Sequence, residues 1–275
     1  MAEKFIDVQK LIASKNPRLI KFIPGFVIRY LKRVIHEDEL NQFLIDHGEK
    51  RDFEFLDEVL RFLNADYDIE GLENLSTDQR YIFVSNHPLG GLDGMILLQI
   101  IGKKFGFVKV TSNDLLMNLK PLANFFLPVN KHGSQSVQNA TLIEQAYGSN
   151  LPILNFPAGL CSRKNRGKIA DLEWKKSFIV KGIAHKRYIV PIYFKGKNSS
   201  FFYNLSKIRT FLGIKLNIEM LYLADEMFRQ RGRKQHIKFG TPISYETFDK
   251  SRKPIWWANW VKEQVYKMES QFQPK

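Results

Sequence analysis

The spacing of apolar positions changes character part-way along the chain. Through residues 1–75 apolar side chains recur at helical intervals, with little of the alternation a strand would show. Residues 18–35 interleave bulky apolar side chains with Arg18, Lys21, Arg29, Lys32 and Arg33 and hold no acidic residue. Such a run suits a helix lying in a lipid headgroup layer, kinked at Pro24-Gly25. A core helix with a solvated basic edge would carry the same pattern. Residues 36–68 are mixed and acidic and predict solvated amphipathic helices.

From about residue 66 short apolar runs begin to alternate with helical stretches. Strands are predicted at 81–85, 107–111, 152–156, 188–194, 215–222 and 235–239, with a short extended segment at 127–130. Helices are predicted at 94–101, 114–126 (interrupted by Pro121), 134–147, 174–185 and from about 254 onward. This alternation predicts an α/β fold, a mixed, largely parallel central sheet flanked by helices. With no internal repeat or low-complexity linker, the economical division is a helical, membrane-facing segment over 1–75 and one α/β domain over 76–275.

Charge changes the picture more than composition does. Against 28 acidic residues stand 42 Lys and Arg, a formal net charge of +14. Nucleic acid, an anionic membrane surface and an acidic carrier protein are the partners such a surplus favours. One cysteine, Cys161, excludes an internal disulfide and a cysteine-ligated zinc site. The first residues lack the apolar core of a secretory signal, and no run reaches the ~18 apolar residues of a spanning helix. A soluble or surface-bound protein is expected.

The densest chemistry lies at 81–94, YIFVSNHPLGGLDG. A buried strand breaks there into a glycine-rich turn carrying His87 and Asp93. Imidazole titrates near neutral pH and can take a proton from a hydroxyl. A carboxylate on its other nitrogen fixes the tautomer and steadies the imidazolium. Asp93 would also serve as a plain helix N-cap, and His87 as an ordinary turn residue before Pro88.

Three more stretches sit at the ends of predicted strands, where α/β sheets bind ligands: 128–131 (PVNK), 156–163 (FPAGLCSR) and 190–193 (VPIY). The second groups a turn, a hydroxyl and a guanidinium suited to phosphate or carboxylate, or else forms a basic surface loop. Pro191 marks an edge strand or a bulge. In order, the four stretches resemble the motif blocks of the glycerolipid acyltransferase superfamily, the lysophosphatidate acyltransferase-like enzymes. The resemblance spans roughly residues 80–195. It rests on Asn86-His87 with Asp93, on Val129-Asn130-Lys131, on Phe156-Pro157-Ala158-Gly159 with Ser162-Arg163, and on Val190-Pro191.

The resemblance implies direct acyl transfer from acyl-carrier protein or acyl-CoA to the hydroxyl of a lysolipid, with no cofactor and no metal. His87 would be the general base and Asp93 its support. Backbone N–H groups around Gly90 and Gly91 would stabilise the oxyanion. Asn86, Lys131, Phe156, Pro157, Gly159, Ser162, Arg163 and Pro191 would hold acceptor or donor. It also implies a place at the cytoplasmic face of the cell membrane. Three departures matter. Five residues separate His87 from Asp93 where the family has four, Ala158 replaces a glutamate, and Lys131 replaces an arginine. Altered acceptor blocks point to a non-standard acceptor, a lyso-aminolipid of the ornithine or glycine kind, with lysophosphatidate the fallback.

Rival chemistries have weaker footing. A basic nucleic-acid-binding protein is the main alternative, but no helix-turn-helix, RRM or zinc pattern is present. The remaining histidines show no paired metal-ligand spacing. No Gly-x-Ser-x-Gly elbow or P-loop occurs, and Cys161 has no histidine near it in sequence. The basic run at 229–234 reads as a docking patch or a solvated turn.

Overall fold

The computed structural model describes residues 5–15, 22–112, 119–129, 137–165, 167–215 and 217–271. Among the described residues four helices come first: α1 (Val8–Lys15), α2 (Gly25–Ile35), α3 (Glu37–His47) and α4 (Asp52–Phe62). Seven strands then build one sheet. They are β1 (Asp66–Glu70), β2 (Tyr81–Ser85), β3 (Lys109–Ser112), β4 (Phe126–Pro128), β5 (Ile153–Asn155), β8 (Tyr188–Lys195) and β9 (Lys234–Phe239), ordered β1-β9-β8-β2-β5-β3-β4. A hairpin of β6 (Arg163–Asn165) and β7 (Lys168–Ala170) stands apart. The packing helices are α5 (Leu92–Phe105), α6 (Val137–Gly148), α7 (Ser177–Ala184), α8 (Ser200–Phe211), α9 (Leu223–Phe228) and α10 (Pro254–Lys267).

All main-sheet pairings are parallel except β8 with β9, which is antiparallel. The sheet is mixed and largely parallel, as expected. Its centre, β2, is buried at all five positions, which is why the strand reads as an unbroken apolar run rather than an alternation. The two-residue period shows instead in which core each side chain joins. Phe83, Val190, Ile192 and Phe194 enter one core with Phe55 and Leu56 of α4 and Ile96 and Leu97 of α5. Ile82, Val84 and Ile189 enter the other with Trp174, Phe178 and the Val261–Val265 face of α10. Fully burying each such side chain is worth ~1.5–3 kcal/mol.

Buried polar groups tie the short pieces down. Val8 N–H donates to Glu37 Oε2 at 2.9 Å, and Asn41 exchanges two hydrogen bonds with the Ile6 backbone, docking α1 on α3. Arg187, fully buried, donates its five N–H groups to the carbonyls of Tyr81, Ala146, Tyr147, Ser149 and Leu151, thereby capping α6. Burial lowers its pKa to about 10.

Four local expectations change. Residues 66–70, in the stretch read as helical, form strand β1 against β9. Among its described residues the stretch 215–222 holds no strand: Ile218–Tyr222 is a 3-10 turn, because Glu219 is drawn inward to the Arg163 and Arg209 guanidinia. Pro191 lies in an interior strand rather than at an edge, flanked by β2 and β9. Its missing N–H falls where the neighbouring chain bulges. Ile192 pairs with Phe239 and Ile189 with Ile243, so one extra residue sits on the neighbour's side. Of the predicted helix at 114–126, the part that is described is a 3-10 turn, Lys120–Phe125.

Candidate active site

His87 leaves the carboxyl end of β2, and Asp93 lies in the first turn of α5, so the strand-to-helix turn brings them together. Both oxygens of the fully buried Asp93 are 3.1 Å from His87 Nδ1. Asp93 Oδ2 also accepts the Leu89 N–H at 2.9 Å, which pins the turn from inside. A carboxylate only accepts, so Nδ1 carries the hydrogen and Nε2 the basic lone pair. Between the two, Gly90 folds the backbone back at a φ of +86°. Asp93 is not the N-cap, a position held by Gly91.

Phe156, one residue past β5, lies against the imidazole, ring centroids 4.1 Å apart. The histidine side chain is 16% exposed and lines an apolar cavity of about 550 Å³. Gly90, Gly91, Phe156, Pro157 and Gly159 line the same cavity, as do Phe43 of α3 and Met227 of α9. Its volume lies in the usual range for ligand sites, ~300–1,000 Å³.

A second carboxylate, invisible to sequence reading, holds the turn from behind. Asp171 Oδ1 accepts the His87 backbone N–H at 3.1 Å and the Ser162 hydroxyl at 2.6 Å, while Oδ2 accepts the Trp174 indole N–H at 2.9 Å. Ser162 N–H in turn donates to the His87 carbonyl at 2.7 Å. Behind Asp171 the Tyr266 hydroxyl accepts its N–H and Lys262 donates to its carbonyl. Burial, with Asp171 beside it, pushes the Tyr266 phenol well above its ordinary value. No local sequence signal marks Asp171: the acid beside Trp174 is Glu173.

Several expected binding residues are committed to the fold. Asn86 gives both polar atoms to Phe194, accepting its N–H at 2.7 Å and donating to its carbonyl at 2.9 Å, which clips β2 to β8. Arg163 donates to Glu219 at 2.8 Å and to the Cys161 carbonyl at 2.7 Å, and its guanidinium lies over the Phe202 ring. Pro191 sits behind the site in β8. Ala158 belongs to the apolar cluster around Trp174, away from the cavity wall. Lys131 and Asn130 lie outside the described residues. Burial pushes the Cys161 thiol up, which keeps it protonated and unsuited to nucleophilic attack. The basic run at 229–234 is largely spent: Arg229 pairs with Asp225, Lys234 with Asp68, and Arg231 lies over Phe62 and Phe228.

A carboxylate-backed imidazole beside an apolar cavity, at the carboxyl end of a largely parallel sheet, equips a protein for group transfer to or from a hydroxyl on a lipid-like molecule. The chain belongs to the Acyltransferase family, which it matches over residues 10–272, and is an acyltransferase. It is 49% identical over 264 residues to the lyso-glycine lipid O-acyltransferase of Bacteroides thetaiotaomicron, covering 96% of this chain and 97% of that one. It is also 49% identical to the enzyme of the same name from Phocaeicola vulgatus, covering 96% and 95%. Among solved structures it is similar to the 1-acyl-sn-glycerophosphate acyltransferase PlsC of Thermotoga maritima, at 18% identity and a TM-score of 0.44, covering 90% of this chain and 95% of that one. Among the described residues no helix is long and apolar enough to cross a membrane, and no group of three or more His, Cys, Asp or Glu side chains could hold a metal ion.

Proposed function

We propose that this enzyme transfers a fatty acyl group from an acyl thioester to the hydroxyl of a lyso-glycine lipid, with His87 as general base. The observation that carries the reading is the His87–Asp93 pair at 3.1 Å on the wall of the apolar cavity. Nε2 removes the acceptor's hydroxyl proton as its oxygen attacks the thioester carbonyl. Asp93 stabilises the imidazolium that results. Collapse of the tetrahedral intermediate breaks the C–S bond, and the imidazolium returns the proton to the departing thiolate. General-base assistance supplies about 10²–10⁴ in rate; holding acceptor and donor together in the cavity supplies much of the rest.

The lyso-glycine acceptor is supported by two relatives of that name at 49% identity over nearly the whole chain. The donor is an acyl-carrier protein or acyl-CoA, either of which is drawn to a chain of net charge +14. The same surplus favours a peripheral position on the anionic cytoplasmic face of the membrane. The test presents both donors to the purified enzyme against lyso-glycine lipid, lyso-ornithine lipid and lysophosphatidate. Turnover of lyso-glycine lipid, abolished in His87→Ala with folding intact, is expected. Turnover of lysophosphatidate alone would overturn the acceptor assignment, and an active His87→Ala the mechanism.

A further inference from the structure

Helix α8 is apolar on two opposite sides. One side buries Phe202, Tyr203 and Ser206 in the protein. The other presents Phe201, Leu205, Ile208 and Leu212 at spacings of four, three and four, one stripe along a helix. Phe201 is 51%, Ile208 56% and Leu212 62% exposed, and Phe211 beside them reaches 90%. Helix α2 exposes Phe26 and Tyr30 four residues apart on one side and buries Ile28 and Val34 on another, and Phe22, just ahead of Pro24, is exposed as well. The two stripes are continuous. The Phe201 ring meets Tyr222 edge-on at 4.9 Å, and the Tyr222 hydroxyl is 3.1 Å from that of Tyr30.

We infer that the α2–α8 face is a membrane-docking surface that seats the enzyme in the interfacial layer of an anionic bilayer. Its charge selects this occupant. Residues 22–36 and 200–218 contain no Asp or Glu, while Arg29, Arg33, Lys207 and Lys215 punctuate them; Lys32 and Arg209 are spent on the buried Glu37 and Glu219. Aromatic and aliphatic side chains rimmed by cations, with acids absent, match the headgroup–acyl boundary of anionic lipid. Phe211 and Leu212, 90% and 62% exposed, are the side chains that the acyl boundary would cover.

The surface also lies next to the chemistry. The 3-10 turn Ile218–Tyr222 runs straight into α9, whose Leu223 packs so closely on Gly90 that a β-carbon there would meet it at 3.0 Å. Met227, one turn on, lines the catalytic cavity, and α9 holds α2 through His36, stacked on Phe228 at 3.9 Å. Docking therefore sets the Gly90 edge of the cavity towards the layer in which a lysolipid resides. This purpose rests on the acyl-transfer reading; the docking itself does not.

The test is co-sedimentation with sucrose-loaded vesicles of roughly seven parts phosphatidylcholine to three parts phosphatidylglycerol. The triple variant Ile208→Ser/Phe211→Ser/Leu212→Ser should partition at least roughly tenfold more weakly than wild type. It should keep wild-type turnover of a short-chain acceptor dispersed as monomers. The charge variant Lys207→Glu/Lys215→Glu should lose binding most at low salt. Wild-type sedimentation by the triple variant would overturn the inference. So would a wild-type dimer, seen by sedimentation velocity, that the triple variant dissociates, because a second copy would then cover the stripe. A protein that binds vesicles yet acylates nothing would sink the acyl-transfer reading alone; one that acylates dispersed acceptor and ignores vesicles would sink this inference alone.

Discussion

Replacing Asp171 by asparagine changes one oxygen to an amide nitrogen while keeping size and shape. The native carboxylate meets three donors, the His87 N–H, the Ser162 hydroxyl and the Trp174 indole N–H, and every one needs an acceptor. An asparagine offers a single acceptor oxygen, so in either orientation its NH₂ faces at least one N–H. Losing a hydrogen bond to a charged group costs about 1.5–3 kcal/mol, and a buried donor left unmet adds about 1–3. Partial relaxation brings the expected loss to about 2–4 kcal/mol. For a chain of this size that lowers Tm by about 3–7 °C. The same change frees the backbone that carries the general base. With folded protein, kcat should therefore fall roughly tenfold or more, because misplacement of a reacting group is paid for in the transition state, while KM for the acceptor stays near wild type. Thermal unfolding by circular dichroism and steady-state acyl transfer measure the two effects. Wild-type Tm together with wild-type kcat in Asp171→Asn would refute the claim that this carboxylate organises the turn.

His87→Ala should cut acyl transfer by roughly 10²–10⁴ with Tm nearly unchanged, read by the same assays. Gly90→Ala forces a β-carbon into a backbone at φ +86° and against Leu223; a stability loss of about 1–2 kcal/mol in urea unfolding is expected. Arg187→Lys replaces five donors by three, and about two buried carbonyls lose their partners, costing about 2–5 kcal/mol in the same experiment. Hydrogen bonds from Lys50 and Arg61 hold the Glu58 carboxyl below its ordinary 4.5. A carboxyl lowered by folding contributes stability that is full above the unfolded value and lost as pH falls through the folded one. Glu58→Gln should thus lower Tm near neutral pH and converge on wild type in strong acid.

What the sequence determined by itself was local. Strands at 81–85 and 188–194 are legible because strands in the middle of a sheet covered on both faces must be apolar throughout, whether both neighbours are parallel, as for β2, or one is antiparallel, as for β8. His87 and Asp93 are legible because one turn of chain joins them, so their meeting depends only on backbone that the glycines can bend. Tertiary structure decided whatever depended on partners far along the chain. Asp171 reaches His87 across 84 residues, and no local pattern marks an acid that will be buried behind a histidine. The stretch at 215–222 has the apolar content of a strand, yet Glu219 needs two guanidinia from α8 and β6, and that need overrides β-propensity. Arg163 looked like an anion-binding residue because sequence shows its charge and not the buried carboxylate that neutralises it. Propensity is a property of neighbours along the chain, whereas the cost of burying a charge is set by whatever the fold brings beside it.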